Sequence, residues 1–197
     1  MFCLTGVSCG FQTGTAYDQL EVVSTDGITF FKKGADPYTG LVYRDSLSFR
    51  LEEFSVDLGL QSGNADTFYS NGQLKSRKFY RDGQQNGLVE YFFESGLRMA
   101  SLNYSAGKKS GNQYKYYPSG ILEEITFYDK GILKGENIFY YEDGKIRQRI
   151  QFNQLGQRSG TWTKFYPNGK LKESIEFQEG KLIPPLLRYD VLGKRIP

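Results

Sequence analysis

Paired carboxylates, a histidine beside a nucleophile, or clustered cysteines are what a chain of this size would need for acid–base, acyl-transfer or metal chemistry. The 197 residues contain no histidine at all, which removes the commonest general base, the commonest metal ligand and the middle member of nucleophilic triads. Glu52 with Glu53, and Glu123 with Glu124, are sequence neighbours. A strand would point such neighbours to opposite faces, so they make no catalytic pair. Both cysteines, Cys3 and Cys9, lie in the first ten residues, so neither a disulfide framework nor a thiolate metal site is expected in the folded region. The glycines fall at turn spacings and form no phosphate-binding loop. No catalytic residue, metal or cofactor is expected.

The remaining chemistry is that of surfaces. The chain has 15 Tyr, 15 Phe and 23 Gly, and a formal charge of +3 from 25 basic and 22 acidic residues. Aromatics with glycines read as strands and tight turns. The mild charge argues against nucleic acid. Lys75 to Lys115 is the richest basic stretch, interleaved with Phe79, Tyr80, Phe92 and Phe93; it reads as a solvated face rather than a stacking platform. No small-molecule substrate is implied. The opening Met1 to Gly10 is apolar but lacks a basic n-region and is too short to span a bilayer. It resembles the end of a bacterial lipoprotein signal with Cys9 as the residue to be lipidated, although Gly6 stands where that motif carries an aliphatic. As written the chain reads as cytoplasmic, and as envelope-associated if the start lies upstream.

What positions these surfaces is a repeat. Glycines recur at 72, 96, 120, 144, 169 and 193, a spacing of 24 residues with one of 25. Most follow a turn former, as in Asn71-Gly72, Ser119-Gly120 and Asp143-Gly144, which predicts two-residue type I′ hairpin turns. A second series, Gly83, Gly107, Gly131, Gly156 and Gly180, reads as longer connections at the other end. A third, Gly63, Gly87, Gly111, Gly135 and Gly160, falls nine residues before the hairpin glycine. The expected register sets Tyr69 opposite Leu74, Tyr117 opposite Leu122, Lys115 opposite Glu124, Lys164 opposite Glu173, and Val89 opposite Leu102. The last ring of each unit falls opposite a glycine, as Tyr104 opposite Gly87, where it would fill the space of the missing side chain. About six hairpin units therefore form an all-β, elongated, single antiparallel meander. Residues 1–15 are an N-terminal segment, 16–63 a leading hairpin (with Asp26-Gly27 as its turn) and a degenerate repeat, and 64–197 the tandem array ending in a half-repeat.

The unit resembles the bacterial variant of the MORN repeat, most clearly in Tyr116-Tyr117-Pro118-Ser119-Gly120 and Phe165-Tyr166-Pro167-Asn168-Gly169. The leading segment, Asp26-Gly27-Ile28-Thr29-Phe30-Phe31 with Pro37-Tyr38-Thr39-Gly40, is similar to that of YwqK-family antitoxins. Arg98 departs from the pattern where an aliphatic is usual, and Pro184 where a glycine is. The resemblance implies an elongated sheet that binds proteins or membranes and carries no catalytic residues. Two functions are expected: a module of the antitoxin or immunity kind that binds a protein partner, such as a toxin, through a sheet face, or a membrane-surface or envelope structural protein. The candidate partner-binding residues are Phe68, Phe92, Tyr116, Tyr140 and Phe165, a stripe on one face, with Arg147 placed beside Tyr140. The same register sets this stripe against Lys75, Met99, Glu123, Arg147 and Lys172.

Overall fold

Rings and β-branched residues alternate between turn formers throughout, leaving no stretch with a helical stripe to bury. Among the described residues the one helical element is the three-residue 3₁₀ turn Tyr17–Gln19. The computed structural model describes residues 14–25, 28–46 and 48–196. Its twenty strands belong to one open sheet. From Gly40–Asp45 onward each long strand pairs antiparallel with the next, through Arg50–Asp57, Leu60–Phe68, Leu74–Arg81 and so on to Lys181–Tyr189 and the short Arg195–Ile196. The all-β meander expected from the repeat is the architecture found. Thr15–Ala16 adds one parallel pairing, with Thr15 opposite Val42. Glu21–Thr25 and Ile28–Lys33 form the leading hairpin; its Asp26-Gly27 turn lies outside the described residues, as do Cys3 and Cys9.

The expected register holds along most of every hairpin, but the turns are not those expected. Lys115 faces Glu124, Val89 faces Leu102, Lys164 faces Glu173 and Tyr104 faces Gly87. At the hairpin tip, Gly120 N–H donates to the Tyr117 carbonyl and Tyr117 N–H to the Ile121 carbonyl, both at 2.8 Å. That is a three-residue loop with Gly120 at φ +83°, a type I turn closed by a left-handed glycine. Such a loop sets Tyr116, not Tyr117, opposite Leu122, and the register then slips by one residue before Lys115 meets Glu124. The bulge cancels the shift made by the longer loop. The same slip occurs at Phe68/Leu74, Phe92/Arg98, Tyr140/Ile146 and Phe165/Leu171.

The type I′ turns sit instead at the other end, where longer connections were expected. Ser105 pairs with Lys108 across Ala106 at φ +46° and Gly107 at φ +74°. Asp82-Gly83, Lys130-Gly131 and Glu179-Gly180 repeat this geometry. The exception falls where the spacing is 25: the extra residue makes the Asn153 to Gln157 turn a three-residue loop, closed by Asn153 N–H on the Gln157 carbonyl at 2.9 Å. The third glycine series is likewise explained by backbone rather than by ring filling. A Cβ at Gly87, where φ is +92°, would meet Phe79 and not Tyr104, and one at Gly111 would meet nothing.

Two different burial schemes hold the sheet. At its N-terminal end Leu20, Phe31, Val42, Phe54 and Val56 form a conventional core with Tyr17, Tyr38 and Ala65 packed against it. Here the leading hairpin lies over the sheet. Beyond it the sheet is one layer thick, each strand contacting mainly its sequence neighbours. One face nevertheless buries Val89 and Asn137 completely, with Gln113 at 3%, Ile175 at 6% and Phe177 at 7% exposure. With no second layer over them, these side chains are covered by larger ones of the same face, which also line a groove. We call this the concave face. The last long strand, Lys181–Tyr189, exposes Leu182, Ile183, Pro184 and Pro185 on the outer edge.

Candidate partner-binding surface

The bulges decide which side chains share a face. Phe68, Phe92, Tyr116, Tyr140 and Phe165 do form one stripe, on the convex face, and all are half-buried. Their cross-strand partners are Leu74, Arg98, Leu122, Ile146 and Leu171. Lys75, Met99, Glu123, Arg147 and Lys172, expected opposite the stripe, are instead the extra residues of the bulges. A bulge turns its extra side chain off the regular alternation. Lys75 lies over the Tyr69 ring at 5.6 Å, Lys172 over Tyr166 at 5.4 Å and Arg147 over Phe139 at 5.9 Å. Tyr69, Phe139 and Tyr166 each follow or precede a stripe residue by one position, so they belong to the concave face. The structure therefore separates Arg147 from Tyr140, which strand alternation alone puts together.

The tyrosine after each stripe residue has a separate task. Its hydroxyl donates to the stripe carbonyl of the next repeat: Tyr69 to Phe92, Tyr117 to Tyr140 and Tyr141 to Phe165 at 2.7 Å, and Tyr166 to Tyr189 at 2.9 Å. Phe93 holds the equivalent position in its unit and has no hydroxyl to give the Tyr116 carbonyl. Phe93→Tyr should supply the missing bond and stabilise the array by about 0.5–1.5 kcal/mol. Urea unfolding measures this, and an unchanged or lower midpoint would show that the hydroxyls contribute nothing.

The concave face of the middle units holds a groove of about 390 Å³ lined by Tyr91, Leu102, Lys109, Lys115, Glu124 and Tyr128, among others. Lys115 bonds the bulge residue Glu123 at 2.9 Å, although its cross-strand neighbour is Glu124. Burial, outweighing the attraction of Lys115, pushes the Glu124 carboxyl above its ordinary value. Burial likewise raises the Tyr104 hydroxyl, helped by Tyr91, Tyr128 and Tyr80 nearby. Because the folded state holds the Glu124 proton more tightly, its contribution to stability is full below the unfolded-state pKa and is lost as pH rises through the folded one. Glu124→Gln should therefore raise Tm at neutral pH and leave it nearly unchanged near pH 4. A lower Tm at neutral pH would mean that the carboxylate is stabilised by its cations after all.

Below the groove, amide side chains satisfy backbone groups freed where strand register changes. Gln113 Oε1 accepts the Asn103 N–H at 3.1 Å and Asn137 Oδ1 the Phe127 N–H at 3.0 Å. Gln113 Nε2 finds three carbonyls, those of Asn103, Ser110 and Gly111. The shorter Asn137 leaves its Nδ2 buried without a partner among the described residues, as is Trp162 Nε1. Among the described residues no group of His, Cys, Asp and Glu could hold a metal ion, and no helix is long and apolar enough to cross a membrane.

Each unit thus consists of two strands, a glycine-closed three-residue tip and a compensating bulge and, except where Phe93 stands, a tyrosine bonded to the next unit. Four segments of it, 62–82, 109–130, 133–154 and 158–179, match the family model of the MORN repeat variant. Over these segments the chain is similar to the MORN repeat variant. The matched segments leave out 83–108, the unit in which Phe93 replaces the bonding tyrosine and Arg98, paired at 2.8 Å with Glu90, replaces the tip aliphatic. No curated protein sequence matches the chain. Among solved structures, S. aureus TarM is similar over 55% of this chain and 21% of its own length, at 12% identity and a TM-score of 0.35. Choline binding protein F from Streptococcus pneumoniae overlaps 90% of this chain and 93% of its own at 11% identity and a TM-score of 0.19. Neither likeness bears on what this chain does.

Of the concave cations the sequence reading named Arg147 alone as a candidate, beside Tyr140, and missed the others. Their signal was present in part: Lys75 and Lys172 each stand six residues after a bonding tyrosine, but only the bulge shows that this places cation and ring together.

Proposed function

We propose that this protein is a non-catalytic repeat module that binds a protein partner across several repeats, in the manner of an antitoxin or immunity protein. The observation that carries the reading is the single-layer sheet from Gly87 onward. It presents half-buried rings on both faces with no element of the described chain packed over them, whereas the N-terminal units are covered by the leading hairpin. Aromatic rings with Arg or Lys are the usual anchors of protein recognition. The reading also assigns the protein no cofactor, nucleic acid or small-molecule substrate.

The test is to capture the partner with the tagged chain in its native host, identify it, and measure its affinity for Tyr116→Ala/Tyr140→Ala on the convex face and for Arg147→Ala on the concave one. At least one should weaken binding about tenfold or more while melting as a folded protein. Retention by anionic membranes with no protein partner would replace this reading by that of a membrane-surface protein.

A further inference from the structure

The net charge of +3 conceals a segregation between the two faces. On the concave face Lys75, Lys78, Lys109, Arg147, Arg158 and Lys172 each stand over a ring, at 5.0 to 5.9 Å from a centroid. None makes an ion pair among the described residues. On the convex face Arg77, Arg98 and Arg149 are each paired within the face, with Asp66 at 2.6 Å, Glu90 at 2.8 Å and Glu136 at 3.1 Å. The concave carboxylates Glu52, Glu123 and Glu173 are already held by Arg44, Lys115 and Lys164. Glu124 makes no ion pair among the described residues, and its burial favours the uncharged form.

We propose that the concave face receives an acidic, extended segment of a protein partner, laid across the strands. This rests on the protein-binding reading above and specifies its face and its partner's chemistry. An unpaired cation above a ring offers a charge for a carboxylate and an apolar floor for the residues beside it. Each repeat contributes two strands, so equivalent positions advance by about 10 Å. An extended chain covers that distance in about three residues. Arg147 and Lys172 hold the same position in successive repeats, and Lys109 and Arg158 the same position two repeats apart, so carboxylates at every third position would fall in step with both pairs. The groove of about 390 Å³ on this face suits a single extended chain. A planar bilayer would touch its rims, and a nucleic acid strand would bring a charge at every residue.

The test uses a fluorescein-labelled peptide of about 15 residues with Glu at every third position and Ala, Ser or Tyr between. Controls are a peptide of the same composition with its Glu contiguous, and one with Lys for Glu. Binding is read by fluorescence polarisation at low and high salt against the full chain, Lys78→Gln/Lys109→Gln/Arg158→Gln, the single variant Lys109→Gln, and Tyr116→Ala/Tyr140→Ala, with folding checked by circular dichroism. The spaced Glu peptide should bind, weaken with salt, lose about tenfold in the triple variant and about threefold in Lys109→Gln, and be unaffected by the convex-face variant. If the triple variant does not fold, the single variant decides. Unchanged binding by the charge variants, or equal binding of the contiguous peptide, would overturn the proposal.

The same variants then meet the captured partner. Loss only in the convex-face variant overturns this proposal and leaves the protein-binding reading standing. Vesicles of phosphatidylglycerol in phosphatidylcholine, or a single-stranded oligonucleotide, bound in place of any peptide would overturn both.

Discussion

Phe54→Ala should lower the free energy of unfolding by about 3–5 kcal/mol, the largest effect expected of any single truncation in this chain. Phe54 is 5% exposed and its ring lies 5.2 Å from that of Phe31, with Tyr17 edge-on at 6.5 Å. Three strands and the leading hairpin converge on this ring, so its loss leaves a cavity that no neighbour can fill by a small shift. Truncation of a ring in the single-layer part has room to relax toward solvent and should cost less. In a repeat array stability is a sum of unit and neighbour terms, so the loss should fall on the N-terminal units. Native-state hydrogen exchange would show accelerated opening of Gly40–Asp45 and Arg50–Asp57 with protection retained in Leu122–Asp129 and Ile132–Tyr140. Uniform acceleration along the chain would show that the N-terminal core stabilises the array as one unit.

The second prediction reverses an expectation drawn from spacing. Gly107 was expected to sit in a longer, more forgiving connection than Gly120, so that Gly107→Ala would be mild beside Gly120→Val. The structure puts Gly107 in a two-residue turn at φ +74° and Gly120 at the end of a three-residue loop at φ +83°, with nothing within 4 Å of a Cβ at the first and only Leu97 at 4.0 Å from the second. Crowding does not distinguish them and backbone strain applies to both. Valine at either position should cost about 1–3 kcal/mol, with the two variants within about 1 kcal/mol of each other. Comparing Gly107→Val with Gly120→Val by chemical denaturation decides it. A mild Gly107→Val beside a severe Gly120→Val would restore the original assignment.

Turn geometry sets how much of this the sequence discloses. A two-residue turn and a three-residue turn followed by a bulge give the same register further along the strands, so the pairs from Lys115/Glu124 to Gly111/Tyr128 were legible although the turn was misassigned. An X-Gly pair is compatible with either, because glycine supplies the left-handed residue in both. The stripe Phe68, Phe92, Tyr116, Tyr140 and Phe165 was legible from alternation alone. Its neighbours were not, because the bulge moves Lys75, Arg147 and Lys172 off that alternation. Nor could spacing show that the leading hairpin covers Phe54, or that Gln113 and Asn137 lie buried against strand irregularities, since polar residues at half-buried positions read equally well as solvent-facing. The unpaired concave cations needed three-dimensional neighbours to identify, because whole-chain charge averages over both faces.

The two consecutive prolines of the outermost long strand bear on how the molecule behaves at high concentration. A β-sheet made of stacked similar units is a template for its own growth, since an edge strand could recruit a second molecule by main-chain bonding. Successive N–H groups of a strand point to opposite edges, so a pair of prolines, Pro184 with Pro185, leaves the open edge short of a donor whichever of the two faces it, within a stretch otherwise apolar and exposed through Leu182 and Ile183. Fibrillar polymerisation through this edge would have to bridge a gap in the ladder at the very residues whose side chains would favour it. Concentrated solutions should accordingly remain free of filaments, and Pro184→Val/Pro185→Thr should turn the same edge into a nucleus for them.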